Sequence, residues 1–64
     1  MQAIIANESG WIKRLTEDFD STPIATWVEN WNGKKWSWSN MTTEPFAELL
    51  AGYLANGWSV LAEE

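Results

Sequence analysis

Carboxylates and indoles are the groups through which this chain could act on another molecule, because its 64 residues include nine Asp or Glu and six Trp but no His and no Cys. The two absences remove thiolate nucleophiles, imidazole bases and the ligand sets of zinc sites. The densest acidic run is Glu17-Asp18-Phe19-Asp20. An Asp-x-Asp step can hold Mg²⁺ or Ca²⁺, yet such a site needs further oxygen ligands, and no EF-hand spacing follows it. A solvated acidic loop is therefore expected, with no metal assigned. Gly10, Gly33, Gly52 and Gly57 match neither the P-loop nor the dinucleotide pattern, so no nucleotide cofactor is expected. No catalytic residue is assigned, and the chain is read as a non-enzyme.

Recognition is a different matter. Trp27, Trp31, Trp36 and Trp38 bracket an Asn32-Gly33 pair, the strongest short-range hairpin signal because Asn and Gly tolerate the positive φ of a type I′ turn. A two-residue turn sets Glu29 opposite Trp36 and Trp27 opposite Trp38, with all four indoles on one side of the ribbon. A three-residue turn with a bulge at Gly33 sets Val28 opposite Trp36 and moves Trp27 and Trp31 to the other side. Glu29, flanked by Trp in either register, is the carboxylate placed for desolvation. Its bland alternative is a rim residue paired with Lys34 or Lys35.

The charge balance narrows the partner. Lys13, Arg14, Lys34 and Lys35 oppose the nine acids, for a formal net charge of −5, which repels nucleic-acid phosphate and anionic lipid and suits a basic protein surface. A charge of this size is also ordinary for a soluble small domain. Lys34 and Lys35 beside Trp36 have the local composition of a single-strand platform, but two lysines make a poor funnel against nine acids, and direct nucleic-acid binding is not expected. Sugar stacking on exposed indoles would need polar groups that the sequence does not place. Met1–Glu8 lacks a basic n-region, and no stretch approaches the roughly 20 apolar residues of a membrane span. No membrane role is expected, and a cytoplasmic location is the default.

The elements that must position these groups follow from periodicity. Gln2–Ala6 and Trp11–Thr16 read as strands joined by the four-residue loop Asn7–Gly10. The second of them also carries Trp11, Leu15 and Asp18 at helical spacing, so a short helix is its rival. Residues 17–23 form an acidic, turn-rich connector to the Trp hairpin. Phe46, Leu49, Leu50, Tyr53 and Leu54 lie on the stripe of an amphipathic helix, with Thr42 or Thr43 to cap it, Pro45 in its first turn and Gly57 as a left-handed C′ residue. Trp58, Val60 and Ala62 then alternate on one side of a last strand. The order β-β-β-β-α-β implies one α+β domain over residues 1–64, a mostly antiparallel sheet of two hairpins plus a C-terminal strand, with the helix on one face.

The back of that helix offers Ala47, Glu48, Ala51, Gly52 and Ala55, a nearly uncharged surface. Gly52 costs about 1 kcal/mol relative to Ala and hints at close approach by another backbone. Ala in such places is equally explained by helix propensity. These features define a non-enzymatic, acidic protein-interaction module, with Trp27, Glu29, Trp31, Trp36, Trp38 and Ala51 as partner-binding residues and no cofactor. A specific form is a small inhibitor, encoded by a phage or mobile element, that occupies a basic groove of a larger protein. The alternative is a homo-oligomer, in the simplest case a homodimer, whose Trp face forms the interface.

Overall fold

Six elements account for the chain in the computed structural model, which describes residues 1–64: β1 Gln2–Ala6, β2 Ile12–Asp18, β3 Ala25–Trp31, β4 Trp36–Thr42, α1 Phe46–Ala55 and β5 Ser59–Glu63. The strands form one antiparallel sheet in the order β4-β3-β2-β1-β5. Four consecutive strands make a meander, and α1 then carries the chain across one face so that β5 pairs with the free edge of β1. This is the α+β architecture expected from the element order.

Segment 12–18 is a strand rather than the rival helix, and its place in the sheet explains why. It is the central strand, where Leu15 faces Ala3 on one side and Val28 on the other and is fully buried. A period of two sends Leu15 into the core and Arg14 to the opposite face, whereas helical spacing would bury Leu15 with only Trp11 and Asp18 for company. The first hairpin closes later than its spacing suggests. Trp11 remains in the connector, 64% exposed, with its amide donating to Asn7 Oδ1 at 3.0 Å, and Gly10 supplies the left-handed backbone at φ +88°.

The core lies between the sheet and α1 and consists of Ala3, Ile5, Leu15, Val28 and Phe46, with Leu49, Leu50, Tyr53 and Trp58 packed around it. Phe46 is the one fully buried residue of the helix. Leu54, expected on the same stripe, is 41% exposed. At 3.6 residues per turn it stands about 80° round from Phe46 and falls off the edge of the contact. Thr26, buried at 1% exposure, donates through Oγ1 to the Glu44 carbonyl at 3.0 Å and ties β3 to the segment entering the helix.

The helix ends differ in how they are made. Pro45 is the N-cap and brings no side-chain bond, while Thr42 Oγ1 accepts from the Glu44 amide at 3.1 Å one turn too early; neither Thr42 nor Thr43 caps the helix. At the other end Gly57, at φ +92°, lets the Trp58 amide donate to the Tyr53 carbonyl and its own amide to that of Leu54. That is a Schellman closure, completed by the edge-on Tyr53–Trp58 contact at 5.3 Å. Beyond it the expected alternation breaks. Val60 pairs with Ile5 but Ala62 pairs with Ile4, so Leu61 is extra and Val60 and Ala62 lie on opposite faces.

Candidate functional site

The Trp hairpin closes in neither of the two expected registers. Trp31 faces Trp36 and Glu29 faces Trp38, leaving Asn32–Lys35 as a four-residue loop. Asn32 does not adopt positive φ; only Gly33 does, at +97°. Asn32 Oδ1 instead accepts from the amides of Lys34 and Lys35 at 2.9 and 3.0 Å, so its side chain stabilises a longer loop where a type I′ turn would have used its backbone. The observed pairing differs from the two-residue one by a slip of two positions. An even slip keeps side-chain parity, so Trp27, Glu29, Trp31, Trp36 and Trp38 share one face as that register expects, and the three-residue alternative is overturned. A second irregularity follows: Val28 pairs with Asn40, so Ser39 is extra on β4 and Met41 comes opposite Trp27.

On this face the indoles group in two pairs. Trp31 and Trp36 lie 5.3 Å apart at 59°, and Trp27 and Trp38 lie 6.1 Å apart at 69°. Trp27, Trp31 and Trp36 are half-buried against one another and against β2, whereas Trp38 is 61% exposed. None of the six Trp is in the buried core. Lining continues past the hairpin, because Ile4, Ile12 and Leu61 adjoin Trp31 and Trp36 in a shallow apolar depression.

Glu29 is paired, and its partner is neither Lys34 nor Lys35. Arg14, directly opposite on β2, donates through Nε and Nη2 to both carboxylate oxygens at 2.8 and 2.9 Å. The same guanidinium lies 4.5 Å from the Trp36 ring centroid. Carboxylate and indole together make a fork with a stacking floor, the geometry for which arginine is better suited than lysine. The bond to Glu29 raises the Arg14 pKa above its ordinary value against a smaller opposing effect of burial. Lys13 points to the other face, where it donates to Asn30 Oδ1 at 2.6 Å and lies 5.8 Å from the Trp58 ring.

Beside the Arg14–Glu29 pair opens a groove of about 720 Å³. Its walls are Trp27 and Trp38, its floor is β2, and Asp18, Phe19 and Asp20 form its rim. Asp18 is fixed in place: Oδ2 accepts from Trp27 Nε1 at 2.8 Å and Oδ1 from the Asp20 amide at 3.0 Å. These bonds, the one from Trp27 first, hold the Asp18 carboxyl below its ordinary pKa. Phe19 is 64% exposed on the same rim. Four carboxylates and one guanidinium line the groove, and no three acidic side chains converge on a common point as a metal site would require.

Of the six residues expected to bind a partner, the fold brings Trp27, Glu29, Trp31, Trp36 and Trp38 together and leaves Ala51 apart, exposed on α1 beyond the opposite face of the sheet. A Cβ added at Gly52 would meet nothing within 4 Å, so no backbone of this chain approaches it. Arg14, Asp18, Phe19 and Met41 enter the surface unanticipated. Strand alternation through Ile12, Arg14 and Thr16 was the available signal for Arg14, but it acts only once β2 is known to be a strand beside β3. No protein-family model matches the chain, and no curated protein or solved structure is significantly similar to it.

Proposed function

We propose that this chain is a non-enzymatic protein-interaction module that docks a basic surface of a larger protein on the open, Trp-bearing face of its sheet. The observation that carries the proposal is the placement of the indoles: four Trp lie on the face that the helix leaves uncovered, and Trp38 is 61% exposed. Trp and Arg dominate binding hot spots because they bury much area with few rotatable bonds or reach planar partners. Charge selects the partner's sign. The chain carries −5, and the groove beside Trp38 is lined by acids in excess, so a basic rim around an apolar pocket is the complementary surface. An inhibitor that occupies a nucleic-acid or substrate groove, encoded by a phage or mobile element, is the form that suits so small and acidic a domain, and its place would be the cytoplasm. No helix is long and apolar enough to cross a membrane.

The test is capture from lysate with wild type and Trp38→Ala in parallel. A stoichiometric partner that elutes with salt, cross-links to β3 or β4 and is lost with Trp38→Ala, while far-UV circular dichroism is unchanged, is the expected result. Capture that survives Trp38→Ala, or a cross-link on the helix side alone, contradicts it. A homo-oligomer is the alternative, and one feature favours it: β4 is an edge strand of seven residues with no charged residue and no Pro, an arrangement that invites strand pairing between copies. Light scattering above the 7.3 kDa monomer mass at micromolar concentration, abolished by a charge at Trp38, would move the conclusion to that alternative.

A further inference from the structure

The face holds one filled guanidinium seat and, next to it, a second set of the same components with no cation of this chain over its indoles. In the filled seat Arg14 lies 4.5 Å from the Trp36 ring while both oxygens of Glu29 accept its N–H groups. Across the Glu29–Trp38 pair the components recur: two indoles at 6.1 Å meeting edge to face, a carboxylate held in place by Trp27 Nε1, and a further carboxylate, Asp20, on the exposed rim. Resting on the docking face proposed above, we propose that the groove between Trp27, Trp38 and the Asp18–Asp20 rim receives an arginine side chain of the partner protein.

Three observations select that occupant. Indole faces attract cations through the ring quadrupole, and carboxylates at the rim add charge of the complementary sign while repelling any anion. A volume of about 720 Å³ lies in the roughly 300–1,000 Å³ range of small-molecule pockets, so one guanidinium side chain has room in it. The cations of this chain at its margin are already engaged, Arg14 by Glu29 and the Met1 ammonium by Glu17 at 3.6 Å, while Lys13 donates to Asn30 and Lys34 and Lys35 do not line the groove, so Asp18 and Asp20 carry no ion pair. Arginine is chosen over lysine because a planar, weakly hydrated guanidinium stacks on an indole and presents a fork to a carboxylate, as Arg14 does one seat away.

The probe is N-acetyl-argininamide, with N-acetyl-citrullinamide as its neutral isostere, titrated into the 15N-labelled protein while the indole N–H signals are followed. Expected are saturable shifts of Trp27 and Trp38 but not of Trp11 or Trp58, binding about fivefold weaker for the citrulline compound, and attenuation by salt. Asp20→Asn should bring the arginine compound to the citrulline level, and Trp38→Ala should abolish the Trp27 response, with circular dichroism unchanged in both. Equal response to the two compounds, no saturable shift, or full arginine binding by Asp20→Asn overturns the inference. Such a failure is separable from failure of the docking face, since a partner still captured by Asp20→Asn and lost by Trp38→Ala would be one that engages the indoles without an arginine.

Discussion

The two faces of the sheet are built from different residues. Against α1 stand Ala3, Ile5, Leu15 and Val28, into which the helix sets Phe46, and together these side chains exclude water almost completely. On the other face stand the four indoles of the hairpin, the Arg14–Glu29 pair and an acidic groove. A domain this small, with neither Cys nor His to staple it, has every reason to bury its largest apolar groups. It buries Phe46 instead and leaves Trp27, Trp31, Trp36 and Trp38 partly or largely accessible. The contrast teaches that the compact face holds the fold and the aromatic face is available for contact.

The largest effect should come from breaking the compact face. Phe46→Ala removes the only buried anchor of the helix and should cost about 3 to 5 kcal/mol, against a total of only roughly 3 to 10 for a chain of this length. Urea denaturation at 25 °C should show much of the variant unfolded without denaturant. Next is the Arg14–Glu29 pair, in which each side chain is about a quarter exposed. Arg14→Met leaves Glu29 without its fork and Trp36 without its cation, an expected loss of about 1 to 2 kcal/mol. A double-mutant cycle with Glu29→Gln should return most of that as coupling. Thr26→Val keeps the shape but strips the bond to the Glu44 carbonyl, for about 1 kcal/mol in the same assay.

The smallest effect sharpens the open face. Asp18 carries a pKa lowered from 3.8 by Trp27 Nε1 and the Asp20 amide. Because the native value lies below the unfolded one, its contribution is complete above about pH 4 and is lost as pH falls through the lowered native value. An acid titration followed at the Trp27 indole signal should show that transition in wild type and not in Asp18→Asn.

Much of this division was legible in the residues and some of it could not be. The stripe Phe46, Leu49, Leu50, Tyr53 marks the helix's share of the compact face from sequence alone, since burial follows period 3.6, whereas β1 is apolar at Ala3 and Ile5 and equally at Ile4 and Ala6, and only the sheet shows which pair is buried. Gly57 marked its helix end for the same local reason. The Trp cluster was legible in one of the two registers the turn left open, and it survives in the structure because a pairing shifted by two from that register keeps the same residues on the same side. The register itself was not, since it depended on whether Asn32 would use its backbone or its side chain in the turn. Nor could the partner of Glu29 be read locally: Arg14 lies 15 positions away, and only the pairing of β2 with β3 brings the two together. The Trp27–Asp18 bond escaped for the same reason.

The most direct test of the division of labour is calorimetric titration of the captured partner into wild type and Trp38→Ala, each checked for its urea midpoint. If the aromatic face serves recognition, affinity should fall by about 30-fold or more, the size of a hot-spot residue, while stability changes by less than about 1.5 kcal/mol. Undiminished affinity, or a stability loss as large as that of Phe46→Ala, would contradict it and make the indoles part of the fold.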